Sequence, residues 1–180
     1  MAELKTRILE TATELYMSKG FHQTSLNDIA RAAKINKSSI FYHFDNKYDL
    51  FEQVLQFRAE KQSNRLERIV TNSSLSTKEK WELFLDSEYD MLASKQIGCF
   101  FAKIGLELNG SNQDCKKELK AFFDIWYHLI KQLFQNNFEL QKADEQAKNV
   151  IIRIEGAAIL SIAYGDFNIL KREIDQLKQI

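Results

Sequence analysis

The chain has 180 residues, a length that suits one or two cored domains, and its 25 basic and 25 acidic side chains give no hint of nucleic acid in the net charge. It has no proline and six glycines, which points to long helices rather than turn-rich strands. Two cysteines without ligand spacing exclude a disulfide framework and point to a reducing compartment, and a charged N-terminus without an apolar signal segment points to the cytoplasm.

The first predicted helix spans residues 2–19, with Leu4, Ile8, Ala12 and Leu15 as its stripe. Gly20 ends it as a C′ glycine, and Phe21 anchors the turn that follows. Thr24 and Ser25 stand at the next helix start, where hydroxyl and backbone N–H can cap, or together hold a phosphate. Ser25 is the N-cap, with Asp28 in the place of a capping-box acid. Leu26, Ile29, Ala30 and Ala33 recur at helical spacing. Lys34, Ile35 and Asn36 make a tight turn, with Ile35 tucked inward and Asn36 capping again. Ile40, Phe41 and Phe44 supply the buried face of the second short helix. Asp45 and Asn46 cap a further helix beginning at Lys47. Two short helices around a three-residue turn, over about residues 25–44, make a helix-turn-helix pattern.

The outer arc of the second short helix carries Ser38, Ser39, Tyr42 and His43, with Lys37 reaching sideways from its first turn. A solvated face tends towards Glu and Lys; this one has no acid. Short hydroxyl residues let a backbone approach base edges, and hydroxyls donate to phosphate. These five residues are therefore expected in a DNA major groove, with Lys47, Thr24 and Ser25 on phosphates. Three lysines stand against one aspartate between 34 and 47, so phosphate attraction comes from clustering and helix N-termini rather than bulk charge.

Residues 4–54 resemble the N-terminal domain of TetR-family transcriptional regulators. The resemblance rests on the first helix ending at Lys19-Gly20-Phe21, then Thr24, Ile29-Ala30, Ala33, Ile35, Phe41-Tyr42-His43-Phe44, Lys47 and Leu50. It implies an all-α homodimer that binds near-palindromic double-stranded operator DNA and releases it when a small ligand binds. Lys34 stands where the family usually has Gly, Ser38 where Gly is frequent, and Phe41 where Tyr is common. Lys34 is strained if its φ is positive, and the departures set the half-site sequence apart from the common one.

The fourth helix is expected from Lys47 to about Thr71, apolar at its ends and polar in its middle, as in helices that bridge domains. The boundary is placed near Glu60: a helix-turn-helix domain over 1–60 and a regulatory, ligand-binding and dimerisation domain over 61–180. Ser76 caps a fifth helix over 77–94. Gly98-Cys99 opens a sixth that ends near Asn109-Gly110, and this opening resembles a recurring element in one branch of the family. A seventh helix is expected over 113–138.

Phe84, Glu88, Met91, Phe100, Phe101, Ile104, Phe122, Phe123 and Trp126 are the candidate lining for an apolar or aromatic effector, although rings at helical spacing also build plain cores. Glu88 is the one acid on that stripe, placed to orient a ligand's donor or cation, or to reach solvent. Residues 150–163 are apolar on more than one side, too short and too charged for a membrane span. With the helix that follows Gly165-Asp166 they form the candidate dimer interface: Ile151, Ile154, Ala157, Ala158, Ile162, Phe167, Leu170 and Ile174.

His22, His43 and His128 fit no metal template, and Cys99 and Cys115 read as structural cysteines before redox sensors. No catalytic triad, carboxylate pair or glycine-rich loop emerges, so no cofactor and no enzymatic activity are expected. The reading is a DNA-binding repressor released by an effector. Two alternatives stay open: an architectural or cell-division factor of the same fold without an inducer, and a helical enzyme without DNA binding.

Overall fold

A computed structural model describes residues 2–94, 98–109, 115–135 and 139–180. Among these the chain is all-helical: α1 (Ala2–Lys19), α2 (Leu26–Ala32), α3 (Lys37–Phe41), α4 (Lys47–Val70), α5 (Thr77–Ala93), α6 (Phe100–Leu108), α7 (Lys116–Phe134), α8 (Leu140–Tyr164) and α9 (Asn168–Leu177). Gly110 and the expected helix ends at 113 and 138 lie outside the described residues. The chain forms two compact units, Met1–Lys61 with Phe100–Leu119, and Gln62–Cys99 with Lys120–Ile180.

In the first unit, a capping box starts α2. The Ser25 hydroxyl accepts from the Asp28 N–H at 3.1 Å, and the Asp28 carboxylate accepts from the Ser25 N–H at 3.0 Å. Lys34 takes φ 55° in the turn, a left-handed position costing a side-chain-bearing residue about 1–2 kcal/mol. The turn holds because Ile35 N–H donates to the Ala30 carbonyl at 3.0 Å. Asn46, rather than Asp45, caps α4: its side-chain oxygen accepts from Tyr48 and Asp49 N–H at 2.8 and 3.1 Å. Ile8, Ala12, Tyr16, Phe21, Ile29, Ile40, Phe44, Leu50 and Val54 fill the core. Tyr16, Phe21 and Phe51 meet ring to ring at 4.5–5.7 Å.

One core expectation is corrected here. Phe41 is 50% exposed. The helix is a single short turn in which Ile40 takes the core, joined by Phe44 three residues beyond its end. Phe41 is rotated roughly 100° from Ile40 and lies beside Lys37, whose Nζ is 5.7 Å from its ring centroid.

In the second unit, a capping box of Ser76 and Glu79 starts α5. Trp81 stacks on Phe84 at 5.6 Å and donates its indole N–H to the Leu177 carbonyl at 2.8 Å, tying α5 to α9. Phe84 meets Trp126 at 6.5 Å, and Trp126 meets Phe122 at 5.6 Å. Helix α8 begins ten residues before its apolar run, because Ala143 and Ala147 continue the buried stripe through a polar stretch. It ends at Gly165, whose φ of 65° makes the left-handed cap. Helix α9 folds back on α8, and the Ser161 hydroxyl accepts from the Leu170 N–H at 3.1 Å.

That packing corrects the expected dimer face. Ile154, Ala157, Ala158, Leu170 and Ile174 are buried within their own unit, and Ile151 and Phe167 are half-buried. Only Ile162 of the eight is exposed, together with Ile152, Ile159, Leu160 and Tyr164 from outside the expected set.

Candidate nucleic-acid interface and effector site

The N-terminal end of α1 and the outer arc of α3 frame a concavity of about 300 Å³ lined by Leu4, Ser38, Ser39, Tyr42 and His43. Tyr42 is 71% exposed and meets His43 edge-on at 5.0 Å. Lys37 and Ser38 are exposed, and Ser39 and His43 half-buried. Four of the five expected readers therefore share one surface, and Lys37 lies outside its lining, over the Phe41 ring. The shared surface is short-chained and hydroxyl-bearing, without an acid, the composition that admits a base edge.

The expected phosphate ligands separate. The Thr24 side chain is fully buried, and its hydroxyl donates to the Gly20 carbonyl at 2.7 Å. It closes the α1–α2 turn and, contrary to expectation, is out of reach of a phosphate. Ser25 is exposed, but its hydroxyl donates to the Asp28 carboxylate at 2.6 Å. Ser25 in turn holds that carboxyl below the usual carboxylate range, and Arg31 pairs with it at 2.5 Å. Lys47 is half-buried, its Nζ 4.2 Å from the Phe21 centroid and 3.5 Å from the His22 carbonyl. Partial burial pulls its pKa below the ordinary lysine value while Glu107 pushes the other way.

Glu107, absent from the sequence-based expectations, organises this corner. From α6 its carboxylate accepts the backbone N–H groups of Phe21 at 2.9 Å and His22 at 2.8 Å. Lys103, one turn earlier, donates to the Met17 carbonyl. The only hint in the sequence was two charges inside the apolar run FFAKIGLEL.

The expected effector lining divides between the units. Phe100, Phe101 and Ile104 belong to the first and are buried there. Phe84, Phe122, Phe123 and Trp126 form a connected aromatic group in the second. Glu88 is wholly buried, so its solvent-edge alternative falls away. Its Oε1 accepts from Gln62 at 2.9 Å and from Arg65 at 2.5 Å, both on α4. Arg65 lies 3.8 Å from the Met91 sulfur and also donates to the Ser87 carbonyl at 2.7 Å. Burial pushes the Glu88 carboxyl up to about 8, against the pull of Arg65. Glu155 on α8 is pushed up to about 7 by burial, against a hydrogen bond from Cys99. No group of three or more His, Cys, Asp or Glu side chains among the described residues could hold a metal. None of the described helices is long and apolar enough to cross a membrane.

Residues 8–54 match the bacterial regulatory proteins of the tetR family, and residues 82–176 match the transcriptional regulator LmrA/YxaF-like C-terminal domain. The chain is a TetR-family transcriptional regulator. A TetR transcriptional regulator from Legionella pneumophila superposes with a TM-score of 0.87 at 29% identity, over 96% of this chain and 94% of its own. An uncharacterized HTH-type transcriptional regulator in the lacX 3′ region of Lactococcus lactis subsp. lactis is 28% identical, over 97% of this chain and 91% of its own length. The biofilm operon icaADBC HTH-type negative transcriptional regulator IcaR of Staphylococcus aureus is 27% identical, over 74% of this chain and 77% of its own length. TetR-family regulators bind DNA, which fits the acid-free arc on α3.

Proposed function

We propose that this TetR-family regulator is a homodimeric cytoplasmic repressor. In this reading Lys37, Ser38, Ser39, Tyr42 and His43 enter the major groove of each half-site of a near-palindromic operator, and Lys47 holds a phosphate. Tyr42 carries the reading: a large aromatic side chain left in water beside hydroxyls and an imidazole gains most where a base edge or sugar covers it. A repressing role is supported by the likeness to IcaR, a negative regulator by name. Ser25 serves as a cap, and its phosphate contact is confined to the α2 N-terminal amides. The reader domain is assigned to residues 1–60 and the regulatory domain to 61–180.

The regulatory domain is proposed to take a small apolar or aromatic effector that binds better to the conformer with wrongly spaced recognition helices. Only such differential affinity shifts the population, and a coupling of about 1–3 kcal/mol is typical. Helix α4 runs from one domain into the other and is the assigned lever. The packed rings of α5 and α7 fill much of their own space, as an architectural factor without an inducer would require. Buried polar atoms left unpartnered beside them favour the effector reading.

Lys47→Ala is expected to weaken binding to every sequence and lower the salt slope by about one. Tyr42→Ala is expected to cost about 1–3 kcal/mol on the operator and little on random DNA. Fluorescence anisotropy on both duplexes at several salt concentrations checks this. A double variant that binds the operator as tightly as wild type at the same salt removes the assignment.

A further inference from the structure

The interior of the second unit carries polar atoms that its own fold leaves idle. Glu88 is fully buried, and its Oε2 has no hydrogen-bond partner among the described residues. Both carboxylate oxygens of Glu155 are out of solvent, with the Cys99 thiol, a weak donor, as the hydrogen-bonding neighbour. The indole N–H of Trp126, a fully buried residue, has no partner either. Buried polar groups are nearly always satisfied, by protein, by water or by a ligand. Here the idle atoms sit on α5, α7 and α8, three different helices of one unit.

Their charges do not balance. Arg65 pairs with Glu88 at 2.5 Å, and Glu155 is close enough to Glu88 to act on it electrostatically. Arg65 pairs with Glu88, while Glu155 makes no ion pair with the described residues, so a second buried carboxylate goes uncompensated when both ionise. An unpaired buried charge is too costly to keep, which is why burial holds both carboxyls high. A second cation would remove the deficit. Phe84, one turn before Glu88, and Trp126 beside it offer an aromatic wall, and ring faces attract cations.

We infer that the second unit takes an aromatic compound bearing a cationic nitrogen, whose N–H groups are received by Glu88 Oε2 and the Glu155 carboxylate. This rests on the effector reading above and supplies its chemical class. The ring lies against Phe84 and Trp126, and the nitrogen completes the carboxylate pair. Neutral and anionic relatives of the same ring lack the ionic part of the interaction.

The test uses three compounds sharing one ring: 1-naphthylmethylamine, 1-naphthylmethanol and 1-naphthoate, titrated calorimetrically into the full chain at neutral pH. The amine is expected to bind about tenfold tighter than the alcohol, the advantage of a charge-assisted hydrogen bond, and naphthoate weakest. Glu155→Gln should erase the amine's advantage while leaving the alcohol within about twofold of its wild-type affinity. Glu88→Gln should do the same; because it strands Arg65, Glu155→Gln carries the test if Glu88→Gln unfolds. Equal affinity of amine and alcohol, no binding of the amine, or an advantage that survives Glu155→Gln overturns the inference. Operator titrations with the same compounds separate the two readings. Amine binding that leaves operator affinity unchanged removes the release mechanism and keeps the cation site. Release by the alcohol, without preference for the amine, does the reverse.

Discussion

Ile159→Glu is expected to give a folded monomer whose operator affinity is about a thousandfold lower than wild type. The dimer is assigned to the side of α8 that its own unit leaves uncovered. Ile152, Gly156, Ile159 and Ala163 recur there at i, i+4, i+7 and i+11, one stripe of a helix. Ile152 is 68% exposed and Ile159 49%, and a Cβ on Gly156 would meet nothing within 4 Å. Large residues flanking small ones let a second helix approach closely, and an exposed apolar stripe of this kind marks an interaction site. In a two-fold dimer the same stripe meets itself, so each substitution acts twice and sets two unpaired carboxylates in one interface. A monomer meets one half-site only, which discards much of the factor separating specific from non-specific binding. The control is Ala158→Glu, one residue earlier but 1% exposed, which should fail to fold rather than dissociate. Light scattering should give twice 21.0 kDa for wild type and 21.0 kDa for Ile159→Glu. A monomeric wild type at micromolar concentration, or a variant that stays dimeric, sinks the assignment.

Local chemistry was the legible part of the sequence. Ser25 with Asp28, Lys34 in a left-handed turn and Gly165 closing α8 are decided within a few residues of themselves, and each is found where the pattern places it. Phase was harder to read. Helix α8 is apolar on more than one side, so its period fixed a helix without saying which stripe the chain keeps for itself. The chain's own packing covers Ile154 and Ala158 and leaves Ile152 and Ile159 outside. Phe41 failed for a related reason: the five-residue helix buries Ile40 alone, and the second core side chain, Phe44, comes from beyond its end. Distant pairings were invisible. Arg65 and Gln62 sit in the polar middle of α4, which reads as a solvated stretch until Glu88 arrives from 23 and 26 residues away. Glu107 meets Phe21 and His22 across more than 80 positions of chain.

Gly20→Ala and Glu107→Ala are each expected to destabilise the first unit by about 2 kcal/mol, and the double variant by about 1 kcal/mol less than their sum. Two separate causes act at Gly20. Its φ of +86° strains any residue with a Cβ, at about 1–2 kcal/mol. That Cβ would also stand 2.7 Å from Glu107 Oε2. A long side chain normally swings away at small cost, but this carboxylate is held by the Phe21 and His22 N–H groups. Moving it breaks two charge-assisted bonds. Removing Glu107 loses those same bonds and leaves the Phe21 amide part-buried without its acceptor, while water reaches the exposed His22 amide. Once Glu107 is gone, Gly20→Ala retains only its backbone strain, which is why the costs do not add. The same turn seats Lys47 over the Phe21 ring, so both variants should also weaken DNA binding without sequence preference. Urea unfolding of the four proteins closes the cycle. Strict additivity would show that the close approach of Glu107 to Gly20 carries no energy, and unchanged DNA affinity would detach Lys47 from this turn.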